Sequence, residues 1–217
     1  MYMTRVTLKL EPHPSKTHGI LSTVFPGKRS NQVNETLWRL DASGQNKALI
    51  IVSTKKPDWQ LITEKTRVYK SDAQNDVECE RDKCLVYEPF LTQIKNGQAW
   101  SFRLCANPVE HRYIAGKRGK VYACRSKTEQ FEWLRRQAEK SGFLVEECSI
   151  IGDTWISFDK PARDSATGFN RVRIRAVTFA GVLTVTNADA FRRALTQGIG
   201  RGKAYGCGLL TVAKVQP

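Results

Sequence analysis

The sequence predicts an α+β protein built from two tandem ferredoxin-like (RRM-like) βαββαβ domains. Three observations predict it. Strand, helix, strand, strand, helix and strand signals follow one another over the first ninety-odd residues, the ferredoxin-like order. The same order returns, at low sequence similarity, over the rest. The length of 217 residues suits two domains of about 100 residues each, and 41% hydrophobic with 26% charged residues marks a folded chain. The turn signal Asn96-Gly97 sets the boundary, giving domains at 1–96 and 97–217.

Tyr2 to Leu10 alternates on a period near two, as a strand does, and Pro12 and Pro14 end it. Ile20, Leu21, Val24 and Phe25 follow helical spacing, which predicts a helix over 15–25 with Ser15 or Thr17 as its N-cap and Pro26-Gly27 as its stop. ETLWRLD (35–41) and ALIIVS (48–53) read as strands around a Ser43-Gly44 turn. Pro57 can open a short helix to about Glu64. Residues 71–84 are polar and irregular, and 85–94 reads as a fourth strand.

In the second half, AWSFRLCA (99–106) is a strand and 111–125 a mobile basic loop. TEQFEWLRRQAEK (128–140) is an amphipathic helix with Phe131, Leu134 and Ala138 on one face. Strand signals follow at 143–151 and 155–158, then at 171–179 and 182–186, broken by Gly181. Asn187 caps a helix to about Gln197, and a last strand covers 208–215.

Lys and Arg number 35 against 21 Asp and Glu, a net charge of +14. Such an excess opposes compaction and favours a polyanionic partner, nucleic acid before an anionic membrane surface. No run of about 18 apolar residues exists. The charged, alternating N-terminal segment reads as a strand rather than a signal peptide. Six cysteines without CxxC spacing read as free thiols in a reducing, cytoplasmic setting. Cys79 and Cys84 are the nearest pair, with neither a second pair nor a histidine close by, so no metal is expected.

Four features carry candidate chemistry. QGIGRGKAYGCGLL (197–210) holds five glycines, at 198, 200, 202, 206 and 208, and their bare backbone can approach phosphate oxygens. It fits neither the P-loop nor the dinucleotide spacing, and it leaves a helix for a strand, the reverse of both. Gly198, Gly200, Arg201, Gly202 and Lys203 are therefore candidate RNA contacts, and the plain alternative is a flexible connector. Arg171, Arg173 and Arg175 alternate with Val172 and Ile174, so one strand face carries three guanidinium groups suited to phosphate. Arg112, Lys117, Arg118 and Lys120 form a basic run that can track a phosphate backbone. Of three histidines, His18 lies near the start of the first helix, with Lys28 and Arg29 a short loop away. A general acid–base beside cations is what phosphodiester cleavage needs. Without a carboxylate cluster, the reading is a metal-independent nuclease using the RNA 2′-OH, with no cofactor.

These residues together resemble the CRISPR-associated repeat-RNA endoribonucleases of subtype I-E, the CasE family, over nearly the whole chain. MYMTRVTLKL is similar to the family's opening strand. His18-Gly19 and Val24-Phe25-Pro26 are similar to its histidine-helix-Phe-Pro signature. Phe102-Arg103-Leu104 with Ala106-Asn107-Pro108 resembles its FRLxANP motif, and Phe179 with Gly181-Val182-Leu183 its FxGVL piece. The glycine-rich segment 197–210 resembles its C-terminal signature and is the most specific match.

The resemblance implies cleavage of the CRISPR precursor transcript at each repeat hairpin, leaving a 2′,3′-cyclic phosphate, with His18 as the catalytic histidine. It also implies retention of the mature guide RNA inside the Cascade surveillance complex, with other Cascade subunits, especially a backbone subunit, as partners. The arginines at 171–175 would grip the hairpin. One departure stands out: members carry a tyrosine one helical turn before the histidine, where this chain has Ser15. Either another group, such as Lys28 or a water, does that part, or cleavage is slow. The alternative reading is a catalytically weak or inactive RNA-hairpin-binding subunit of the same complex.

Overall fold

A computed structural model describes residues 1–8, 12–25, 36–43, 45–66, 83–114, 117–161 and 168–215. The first half forms β1 (Tyr2–Leu8), α1 (Pro14–Val24), β2 (Thr36–Ser43), β3 (Asn46–Ser53), α2 (Trp59–Thr66), β4 (Lys83–Val86) and α3 (Glu88–Thr92). The second forms β5 (Ala99–Ala106), β6 (Val109–Ile114), β7 (Lys117–Ala123), α4 (Lys127–Lys140), β8 (Phe143–Pro161), β9 (Phe169–Val185), α5 (Ala188–Gln197) and β10 (Leu210–Lys214). Two four-stranded antiparallel sheets result, ordered β2-β3-β1-β4 and β10-β5-β9-β8. Numbered in chain order among its own four strands, with the β6–β7 hairpin set apart, each sheet reads 4-1-3-2, the order of the ferredoxin-like fold.

Pro14 opens α1 at its first turn, where a missing N–H costs nothing, so the cap falls on His13 rather than on Ser15 or Thr17. The His13 imidazole accepts from the Ser15 N–H at 3.4 Å and meets the Ser15 hydroxyl at 2.8 Å. The strand expected over 85–94 is corrected. Only Lys83–Val86 pairs with β1, and the chain then turns into α3, where Pro89 again sits in the first turn. Tyr87, Leu91 and Ile94 bury in the second half's core. The basic loop expected over 111–125 is instead mostly the β6–β7 hairpin, whose alternation was hidden because cations occupy both faces.

The two strand pieces expected on either side of residue 153 are one continuous β8, with bulges between Val145 and Glu147 and between Ile150 and Gly152. Gly181 does not break β9. A Cβ there would lie 1.8 Å from the Glu147 carbonyl oxygen, so glycine lets the bulged β8 cross closely. β9 pairs with β5 only from Val177 to Thr184. Beyond it, the outer β8–β9 hairpin runs on for roughly 25 Å past the sheet.

The larger core packs α4 and α5 on the second sheet through Trp133, Leu134, Phe143, Phe179 and Phe191, and it takes in Leu37 and Val52 of the first. The sheets are also joined by Arg39 of β2, which is only 3% exposed. Its guanidinium donates to both Asp41 oxygens at 2.7 Å, to the Arg103 and Leu209 carbonyls at 2.9 Å, and to the Thr211 hydroxyl at 2.8 Å. A buried guanidinium is tolerated when it is paired and its donors are satisfied, as here.

Candidate active site

Helix α1 presents His18 to solvent on its outer face, while Thr17, Leu21 and Val24 bury beneath it. The His18 ring stands 5.6 Å from the ring of Tyr205, tilted by 60°. Tyr205 in turn packs on Phe158 of the outer β8–β9 hairpin at 4.8 Å, and Phe158 meets the His13 ring edge-on at 5.6 Å. Tyr205, His13 and Pro14 help line a cleft of about 460 Å³ between α1, β2 and that hairpin. Trp155 and Ser157 line the hairpin side and Trp38 the β2 side.

The three arginines share a strand face, as the period-two spacing predicts, but differ in what they touch. Arg173 and Arg175 lie over the Trp155 ring at 5.1 and 5.8 Å. Guanidinium groups stack well on indole faces. Arg175 also grips Asp153 with two 2.7 Å hydrogen bonds, and these hold the Asp153 carboxyl below the usual carboxylate range. Arg171 pairs loosely with Asp159 at 3.3 Å. Arg173 has no ion-pair partner among the described residues and stays exposed on the hairpin face that carries Trp155.

The glycine-rich segment is a shaped turn rather than a loose connector. A short 3-10 turn, Lys203–Tyr205, sits between Gly202 and Gly206, with φ of +81° and +84° in the left-handed region. A Cβ on Gly206 would lie 2.9 Å from the Trp38 ring, and one on Gly200 2.8 Å from the Trp133 ring. A Cβ on Gly198 would reach Leu37 at 2.8 Å. Gly198, Gly200 and Gly206 are therefore required by packing inside the protein. Lys203 donates to the Gln197 carbonyl at 2.6 Å, and burial pulls its ammonium below the ordinary lysine range.

Arg201 faces the basic hairpin. It donates to His111 Nε2 at 3.1 Å, since a guanidinium has no acceptor, and its backbone bridges to Asn107. On the hairpin, Arg112 pairs with Glu110 and covers the Tyr122 ring at 5.2 Å. Glu110 lifts its guanidinium above the ordinary arginine range. Lys120 stands directly opposite Arg112 in the register, a like-charge pair that an anion would relieve. Lys117 and Arg118 open β7 on the same hairpin.

The structure thus brings His18 and the glycine-rich turn together, ties the basic hairpin to that turn, and sets the three arginines on the face of the β8–β9 hairpin opposite Phe158. Lys28 and Arg29 lie outside the described residues. Sequence reasoning missed Tyr205, Phe158, Trp155 and His13. The one available signal was Tyr205, set beside Lys203 in the glycine-rich turn; Trp155 and Phe158 sit on β8, across the hairpin from the arginines of β9. Among the described residues, no three His, Cys, Asp or Glu side chains cluster as metal ligands, and no helix is long and apolar enough to cross a membrane.

A family model described as CRISPR associated protein matches residues 1–214. The CRISPR-associated endoribonuclease Cse3 of Thermus thermophilus is 30% identical over 210 residues, covering 93% of this chain and 90% of that protein. The CRISPR system Cascade subunit CasE of Escherichia coli is 33% identical over 129 residues, 56% of this chain and 61% of that one. Among solved structures, Cse3 bound to a 19-nucleotide RNA superposes with a TM-score of 0.75 at 27% identity, over 98% of this chain and all of that one.

Proposed function

This chain belongs to the CRISPR-associated family of Cse3 and CasE endoribonucleases, and from that premise we propose how its own residues cut and hold RNA. It is an endoribonuclease of CRISPR repeat RNA, and its partners are that RNA and other Cascade subunits. His18 is the general acid–base. It takes the proton of the 2′-OH as that oxygen attacks the adjacent phosphorus, or it protonates the departing 5′-oxygen. The P–O5′ bond breaks as the O2′–P bond forms, leaving a 2′,3′-cyclic phosphate and a 5′-OH, with no metal required. Lys28 and Arg29 balance charge on the phosphoryl oxygens.

Arg171, Arg173 and Arg175, the hairpin cations Arg112, Lys117, Arg118 and Lys120, and the turn residues Gly198 to Lys203 hold the RNA backbone. Two units, 1–96 carrying His18 and 97–217 carrying most of the RNA grip, meet at the cleft, and the protein works in the cytoplasm. The observation that supports this reading best is the exposed His18 set against Tyr205 of the glycine-rich turn, beside a hairpin whose other face carries the stacked arginines.

The test is single-turnover cleavage of a repeat hairpin. Wild type cuts at one position and retains its product, whereas His18→Ala binds equally well and cuts about 10²–10⁴-fold more slowly. A His18→Ala protein that cuts at the wild-type rate overturns the assignment. RNA that stays bound and intact with wild type makes the chain a binding subunit.

A further inference from the structure

We propose that Tyr205 is a positioning residue for cleavage, setting the orientation of the His18 imidazole from across the cleft edge. This role deepens the assignment of His18 as acid–base and rests on it. His18 is an exposed helical side chain, and such a side chain samples several staggered rotamers unless something restrains it. The residue one turn before it cannot serve, because the Ser15 hydroxyl is bonded to His13 Nδ1 at 2.8 Å and helps cap the helix. The Tyr205 ring does meet the His18 ring, at 5.6 Å and 60°.

Tyr205 is itself held firmly enough to act as a reference. Its ring packs on Phe158 at 4.8 Å. Its N–H donates to the Gly202 carbonyl at 2.8 Å. Gly206, which follows it, lies so close to the Trp38 face that no Cβ fits. The glycine-rich turn therefore does more than leave room for phosphate: it carries an aromatic ring to the catalytic histidine from the far end of the chain. An aromatic pair biases a rotamer population by roughly two- to twelvefold, which sets the size of the effect.

Single-turnover cleavage of pre-bound hairpin RNA is expected to slow about five- to tenfold in Tyr205→Leu, with RNA affinity unchanged. Tyr205→Phe, which keeps the ring, should recover most of that loss. Tyr205→Leu cutting bound RNA at the wild-type rate overturns the role, as does Tyr205→Phe being as slow as Tyr205→Leu. The second result would move the function to the hydroxyl.

A measurement on the intact protein does not depend on either variant folding. In histidine-labelled wild type, the His18 ring protons, identified by their loss in His18→Ala, should be displaced by the Tyr205 ring current. Unshifted, rotationally averaged His18 protons overturn the contact. If His18→Ala cuts normally, the acid–base assignment falls. If only Tyr205→Leu cuts normally, that assignment stands and the role of Tyr205 falls alone.

Discussion

Arg175 and Asp153 meet across the β8–β9 hairpin in a two-pronged ion pair, both contacts 2.7 Å long, with the Trp155 ring alongside. An arginine that reads from sequence as free to bind phosphate therefore shares its guanidinium with a carboxylate, whereas its neighbour Arg173 keeps its guanidinium open.

That pair predicts a pH signature. The Asp153 carboxyl lies below its ordinary range, chiefly through the Arg175 hydrogen bonds. Its stabilisation is complete above the unfolded-chain value of about 3.9 and fades as pH falls through the lower folded value. Asp153→Asn should lower urea stability at neutral pH by roughly 1–2 kcal/mol. The gap from wild type should narrow as pH falls through the lowered folded value of Asp153, where its ion pair with Arg175 is lost.

The arginines should separate in an RNA-binding assay. Arg173→Ala should weaken hairpin binding and lower the slope of log affinity against log salt by about one, with the melting temperature unchanged. Arg175→Ala should lower the melting temperature as well. Equal melting losses for both would contradict the division of labour. For all three arginines, including Arg171, the loss in affinity should exceed any slowing of bound-RNA cleavage.

Gly181 should tolerate no side chain. The oxygen its Cβ would strike belongs to backbone, which cannot rotate away. Gly181→Ala should cost about 3 kcal/mol or more, or yield insoluble protein. Gly97→Ala offers the control. Its φ is also positive, at +80°, but nothing lies within 4 Å of the added Cβ, so only about 1–2 kcal/mol of backbone strain is expected.

Arg39 should be among the most sensitive positions for stability. Removing its side chain strips two carbonyls of the second half of their Arg39 donor and leaves Asp41 only the looser 3.6 Å ion pair with Arg103. Arg39→Ala should cost roughly 3–5 kcal/mol in urea unfolding.

What the sequence disclosed and what it withheld divide along physical lines. Local signals were legible: the alternation of β1, the Asn187 cap and the apolar stripe of α4 follow from a few neighbouring residues. The Phe90 to Ile94 stretch was misread because a short apolar run suits strand and helix equally, and the Pro89 beside it was the better clue. The common face of Arg171, Arg173 and Arg175 was legible from spacing. Their acids and the Trp155 platform were not, because register across a hairpin with two bulges depends on the whole pairing. His18 could be singled out on its own helix, but Tyr205 reaches it only through the assembled fold.

The outer β8–β9 hairpin acts as a ruler. Phe158 reaches His13 and Tyr205 only because the two strands run past the sheet by the right number of residues. Deleting one residue pair would turn every side chain on the arm to the opposite face. Deleting two would keep the faces but retract the tip by about 7 Å, carrying Phe158 out of reach of both rings. The arm's length is thus a dimension of the proposed catalytic centre, and an insertion or deletion there would act as a change in gauge.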